Sequence, residues 1–189
     1  MAQFKQAFDV TMSHEGGYVN DPDDRGGETY RGISRIHHSD WSGWAKIDLD
    51  KQADGFPANI DDQALAVNVE EFYKAHYWDP FRGDEISSQT IATELFDSGV
   101  NMGVARAVQF LQESVNLLNR NGKSWDEIQE DGDFGKNTLK ALNAALVIDE
   151  TTLFNVMNVL QGTHYVNLMR RSPVQEKYAR GWFKRVRTI

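Results

Sequence analysis

The stretch His14-Glu15-Gly16-Gly17-Tyr18-Val19-Asn20-Asp21-Pro22-Asp23-Asp24-Arg25-Gly26-Gly27-Glu28-Thr29-Tyr30-Arg31-Gly32-Ile33-Ser34 is where this chain changes its backbone habit. Upstream, Phe4, Ala7, Phe8, Thr11 and Met12 recur at helical spacing, which predicts an amphipathic helix over residues 3–14. Gly16-Gly17 ends it, because glycine adopts the left-handed conformations that close a helix. Glu15 therefore stands at a helix terminus. Turn signals at Asn20-Asp21-Pro22 and Arg25-Gly26-Gly27, with extended pieces at Tyr18-Val19 and Thr29-Tyr30, predict a small sheet or hairpin over residues 18–33.

Beyond this stretch the periodicity is helical. Helices are predicted over Ile60 to Tyr77, closing before Asp79-Pro80, and over residues 88–99 through Ile91, Leu95 and Phe96. Asn101 reads as the cap of a third, whose stripe is Val104, Val108, Leu111, Val115 and Leu118, with Gly99 and Gly103 bracketing a tight turn. Asp131-Gly132-Asp133-Phe134-Gly135 is a second marked turn, leading into a helix with Thr138, Leu139, Leu142, Ala145 and Leu146. A long helix over Thr151 to Met169 follows, and Pro173 opens a last one through Trp182 and Val186. The sum is a mainly α protein with a small β element near the N-terminus.

Composition bounds the function. The chain has 189 residues, enough for one core or one core with a modest C-terminal subdomain. Apolar content of 40% and charged content of 25% exclude a disordered polymer. No apolar run is long enough to span a membrane, so stable membrane insertion is not expected. The start, Met1-Ala2-Gln3-Phe4-Lys5, lacks a secretory pattern, so the protein is expected in the cytoplasm until other machinery releases it. With no cysteine there are no disulfides, no thiol catalysis and no cysteine-bound zinc. The net charge of -8 opposes nucleic-acid binding. From Arg170 onward, however, seven Arg or Lys face the single acid Glu176, either as a solvated helix face or as a contact for a polyanion. A monomer is the default expectation.

The carboxylates of the opening stretch suit acid–base chemistry. Glu15, flanked by glycines that admit a ligand, becomes a general acid if a dry cleft raises its pKa. Asp24 lies nine positions on across a turn and can face Glu15 over a gap. An acid and base about 6.5–9.5 Å apart leave room for the water of inverting glycoside hydrolysis. Asp21 and Asp23 compete for that role or form Asx turns. Thr29 either holds the water or is a β-former in a hairpin. Metal chemistry fits poorly, since the position four after His14 is Tyr18, which breaks the zinc-helix pattern. Asp21-x-Asp23-x-Arg25-Gly26 lacks the ligands of a calcium loop. There is no phosphate loop and no Ser-centred nucleophile elbow. No cofactor is implied. Among the aromatic residues, mostly expected in packing, Tyr30 and Tyr165 are placed near a cleft.

The blocks Glu15 to Asp24, Gly26-Gly27-Glu28-Thr29 and Gly32-Ile33-Ser34 resemble the glycoside hydrolase family 108 muramidases, which include phage endolysins and bacterial secretion activators. The resemblance continues through Phe96-Asp97-Ser98-Gly99-Val100-Asn101-Met102-Gly103, Leu111-Gln112, the run Asp131 to Leu142 and Gly181 to Val186, and so covers nearly the whole chain. It implies a lysozyme-like helical fold that cleaves the β-1,4 bond between N-acetylmuramic acid and N-acetylglucosamine in peptidoglycan glycan strands. It maps the essential catalytic acid onto Glu15, and an Asp and a Thr of the wider phage-lysozyme group onto Asp24 and Thr29. The step from Asp24 to Thr29 is one residue shorter here than in the best-known phage lysozymes. Asn101 joins Tyr30 and Tyr165 as a substrate-binding candidate. A catalytic region over 1–95 and a helical peptidoglycan-binding region over 96–189 packed upon it are expected, with a companion holin or secretion system for delivery. A lytic transglycosylase and a non-catalytic peptidoglycan-binding protein are the alternative readings.

Overall fold

The computed structural model describes residues 1–12, 17–20, 27–60 and 62–186. The chain divides into two compact units, one of Met1–Ala7 with Tyr77–Ile189 and one of Phe8–His76. The fold is mainly α with one small sheet, as the periodicity predicts.

The 8–76 unit is built around the sheet. Helix α1, Phe4–Met12, ends in this unit and is followed by strands β1 (Tyr18–Asn20), β2 (Glu28–Tyr30) and β3 (Ile33–Ser34). They form an antiparallel sheet in the order β1-β2-β3, with Val19 opposite Thr29, Asn20 opposite Glu28 and Tyr30 opposite Ile33. Arg31 and Gly32 make the two-residue turn between β2 and β3 with φ of 45° and 79°. Two consecutive positive φ values define the type I′ turn whose twist matches paired strands, and glycine is the residue that adopts one without strain.

Helices α2 (Gly43–Asp50) and α3 (Asp62–Tyr73) complete this unit. Its core is aromatic. Tyr30 stacks on Trp41 with centroids 6.0 Å apart, Trp41 meets Trp44 edge-on at 5.1 Å, and Phe8 meets Tyr73 at 5.8 Å. The polar edges of these rings are satisfied by backbone. Trp44 Nε1 donates to the His38 carbonyl at 2.7 Å, Trp41 Nε1 to that of Asn68 at 3.2 Å, and the Tyr73 hydroxyl to that of Arg31 at 2.8 Å. Helix α2 is absent from the sequence prediction. It starts at Gly43, where a Cβ would stand 2.3 Å from Trp41 Cη2, so ring packing selects glycine at a helical position.

The other unit is a helical assembly. Its main helices are α4 (Gln89–Met102), α5 (Val104–Leu118) and α6 (Lys136–Arg171), followed by a 3₁₀ segment Pro173–Tyr178 and α7 (Ala179–Phe183). Ser88 caps α4, its hydroxyl accepting from the Ile91 amide at 3.0 Å. The predicted stripe on α5 buries Val108, Leu111 and Val115. One expectation is corrected. Asn101 does not cap a new helix, because α4 runs through Gly99 and Asn101 to Met102 and breaks at Gly103, whose φ is 88°. The Asn101 side chain is bonded to another helix and so is not used on local backbone. Helix α6 is broken at Asp149, with φ −163° and ψ 88°, which separates the two predicted helices. Asp149 Oδ1 accepts from the Thr152 amide at 2.9 Å and restarts the helix. No helix among the described residues is long and apolar enough to cross a membrane.

Candidate active site

Glu15 and Asp24 lie outside the described residues, as do Asp21 and Asp23. Their flanks are described. Glu15 belongs to the connection between α1 and β1, and Asp24 to the connection between β1 and β2. That second connection leaves from Asn20 and returns at Glu28, which face each other in the sheet. Thr29 is half-buried on the middle strand, opposite Val19 on one side and Ser34 on the other. Tyr30, next in the strand, is 1% exposed and lies flat against Trp41.

Glu28 is not among the sequence candidates, yet it sits in an ion-pair cluster with Arg35, Lys51 and Asp48. Arg35 Nη1 reaches Glu28 Oε2 at 2.9 Å, and Lys51 Nζ reaches Oε1 at 2.6 Å. Arg35 also forks onto Asp48 of α2, with Nη1 at 2.7 Å from Oδ1 and Nη2 on Oδ2. Burial pushes the Glu28 carboxyl up, but hydrogen bonds from Lys51 and Arg35 outweigh it and leave the pKa below its ordinary value. The hydrogen bonds from Arg35 hold Asp48 at about 2. A carboxylate so tightly neutralised is unsuited to carry a proton at neutral pH. Its place is to fasten β2 to Arg35, just past the end of β3, and to Lys51 at the end of α2. Asp48 and Lys51, three apart, stand at a helical period, but no sequence signal marks their meeting with Glu28 and Arg35.

The sign of its pH dependence follows. Both carboxyls bind protons more weakly folded than unfolded, so their contribution is complete above the unfolded carboxyl range and is lost as pH falls toward about 2. The melting temperature is expected to drop between about pH 5 and pH 2, and Arg35→Gln should make that drop shallower. Asp48 is 47% exposed, so the cluster supplies a modest part of the acid sensitivity. Identical acid profiles for Arg35→Gln and the parent would contradict the account.

The remaining candidates lie in the helical unit, where the structure brings two together. Asn101 Nδ2 donates to the Tyr165 hydroxyl oxygen. Tyr165 is 1% exposed and stacks on Trp182 with centroids 5.0 Å apart. Burial pushes its hydroxyl up to about 12, so it stays protonated at all working pH values. Asn101 is the end of a polar stripe on α4 at helical spacing, Glu94, Asp97, Ser98 and Asn101, of which the first three are buried. Ser98 donates to Glu94 at 3.0 Å, and Gln161 of α6 donates to Ser98 at 2.8 Å. Asp97 accepts from Arg185 at 2.8 Å. The helical spacing of that stripe is the sequence signal for the network. Among the described residues no group of His, Asp and Glu is arranged to hold a metal ion.

A small antiparallel sheet follows the N-terminal helix, and helices make up most of the remaining described structure. The chain belongs to the glycosyl hydrolase 108 family, whose model matches residues 8–103. Residues 106–187 match the Predicted Peptidoglycan domain. No curated protein matches the chain. Among solved structures, that of Brucella abortus SagA is similar in fold, with a TM-score of 0.62 at 24% identity over 97% of this chain and 88% of that one. The protein is a peptidoglycan hydrolase of the glycosidase class, with a catalytic family match followed by a peptidoglycan-binding one.

Proposed function

We propose that the protein is an N-acetylmuramidase that cleaves the β-1,4 bond between N-acetylmuramic acid and N-acetylglucosamine. The observation that carries the reading is that the glycosyl hydrolase 108 match spans the whole Glu15-to-Thr29 block, in which an acid, glycines and further carboxylates stand together. Glu15 protonates the glycosidic oxygen. Asp24 activates or orients a water on the opposite face of the sugar, and positive charge building on the ring is stabilised by that carboxylate. The register of β1 and β2 supports a part for Thr29. It fixes this residue beside the strand that follows Glu15 and one residue beyond the return of the Asp24 connection.

Residues 1–95 carry the reaction and residues 96–189 hold the wall in this reading. Tyr30 and Tyr165, both packed against tryptophans, contribute to substrate binding by fixing their neighbours, while half-buried Asn101 is the more accessible of the three. Delivery by a companion holin or secretion route, and action as a monomer, complete the proposal.

Mass spectrometry of the products from purified sacculi tests it. Hydrolysis adds one water to each cut and leaves reducing N-acetylmuramic acid ends. Anhydro-sugar ends would assign a lytic transglycosylase instead, and wall binding with no new ends would make the protein a binding module.

A further inference from the structure

Residues 116–144 of the helical unit build a cavity that the hydrolytic reading does not use. Asn116 and Asn119, at the end of α5, clamp the loop that follows. Asn116 donates to the Ile128 carbonyl at 2.8 Å and accepts from the Ile128 amide at 3.0 Å. Asn119 is fully buried, and its side-chain oxygen accepts from the Gly122 amide at 3.0 Å. Its own carbonyl accepts from the amides of Lys123 and Ser124 at 3.1 and 3.0 Å. Between these clamps Arg120, Asn121 and Gly122 take φ of 60°, 59° and 73°, turning the chain sharply out of α5. A loop ordered in advance spares a ligand the entropy of ordering it.

Loop and helix enclose about 550 Å³, within the range of small-ligand sites. The apolar part of the lining is Trp125, Ile128 and two small residues three apart on α6, Ala141 and Ala144. Around it stand Lys123, Asp126, Glu127 and Lys140, and among the described residues none of these four is committed to an ion pair. The Trp125 indole N–H is buried and has no hydrogen-bond partner among the described residues. A second cavity of about 330 Å³ shares Glu127, Ile128 and Asn137 with the first, so the polar lining runs on into the Asp131–Gly135 turn. Gln112 fixes that turn, donating to Asp131 Oδ1 at 2.9 Å and the Asp133 carbonyl at 3.0 Å and accepting from the Gly132 amide at 2.9 Å.

We propose that this cavity is a docking site for an N-acetylated saccharide segment of the peptidoglycan glycan strand, carried by a different compact unit from the Glu15-to-Thr29 block. The Trp125 indole in the lining gives a sugar ring apolar surface to pack against, as aromatic side chains with a polar edge do at wet interfaces. The negative carboxylates of Asp126 and Glu127, the neutral amide of Asn137 and the positive ammonium groups of Lys123 and Lys140 together suit neutral hydroxyl and acetamido groups. Asp126 and Glu127 oppose a polyanion. The alanines leave room for an acetamido methyl. The inference rests on the peptidoglycan-binding match of residues 106–187 and not on the roles given to Glu15 and Asp24.

The test uses the full chain as the Glu15→Gln variant, labelled with ¹⁵N and titrated with the tetramer of N-acetylglucosamine, which has neither lactyl group nor peptide. A parallel titration uses the free stem pentapeptide. The expected result is saccharide-induced amide shifts clustered at residues 122–128 and 137–144, with a shift of the Trp125 indole N–H. Trp125→Ala should weaken that response about tenfold, and surface-exposed Asn137→Ala, which leaves the core untouched, should also weaken it. Saccharide titration without shifts in these segments overturns the site, and so does a response to the pentapeptide alone. Product analysis of the unmutated protein reports separately on hydrolysis. Cleavage without these shifts removes the docking site only, and these shifts without cleavage remove the muramidase reading only.

Discussion

Glu15→Gln is expected to abolish clearing of a cell-wall suspension while leaving the circular dichroism spectrum and melting temperature unchanged. The amide matches the carboxyl in shape but has no acidic proton to give the glycosidic oxygen. Loss of a positioned general acid costs ~10²–10⁴-fold in rate, enough to erase turbidity loss on a practical timescale. Because glutamine is isosteric with glutamate, a fall in activity would report chemistry and not packing. Asp24→Asn should be severe but leave some turnover, because the acid still assists departure and water still reaches the far face of the sugar. Full activity of Glu15→Gln would sink the assignment outright. Equal and complete loss in both variants would instead argue that the two carboxylates work as one inseparable unit.

Arg185→Ala is the second large effect. Asp97 is 3% exposed in its side chain, and Arg185 brings it a guanidinium at 2.8 Å. Removing one partner of a buried ion pair leaves an uncompensated charge and costs about 3–5 kcal/mol, with the lower end expected here because Arg185 is itself 23% exposed. A loss of that size lowers the melting temperature by roughly 6–12 °C. The C-terminal segment should also release, since Arg185 and the Tyr165–Trp182 stack are among the contacts that fasten it to α4 and α6, and proteolysis within residues 173–186 should accelerate. Adding Asp97→Asn to Arg185→Ala should recover much of the loss by removing the stranded charge. If the double variant melts no higher than the single one, lost packing of the arginine stem explains the effect better than charge. This pair also qualifies the basic tail, because at least one of its seven cations is used inside the protein.

Elements whose signal is local were open to sequence reading. Helix α1 follows from Phe4, Ala7 and Phe8, and the sheet follows from β-formers set between glycine and Asp-Pro turns. The α5 stripe follows because residues at helical spacing bury one face regardless of what lies opposite. Helix α2 did not, because its first residue is a glycine chosen by the ring of Trp41. The length of α4 is not legible either, since the Asn101 amide that reads as a cap is bonded to Tyr165, 64 positions away, and the helix breaks only at Gly103.

The site divides along the same line. Glu15, Asp24 and Thr29 are legible as candidates because their residue types and glycine neighbours carry chemical meaning in one short window. Glu28 is not legible, because its neutralisation needs Arg35 and Lys51 together, and no spacing in the chain announces that meeting. The sequence alone determined a mainly helical protein with one small sheet and a carboxylate-rich entry into it, because backbone preference and local chemistry act over a few residues. Tertiary structure alone decided which carboxylates are tied up in ion pairs, which tyrosines are packed away and where a clamped loop leaves a cavity. Burial and charge pairing arise only between segments distant along the chain.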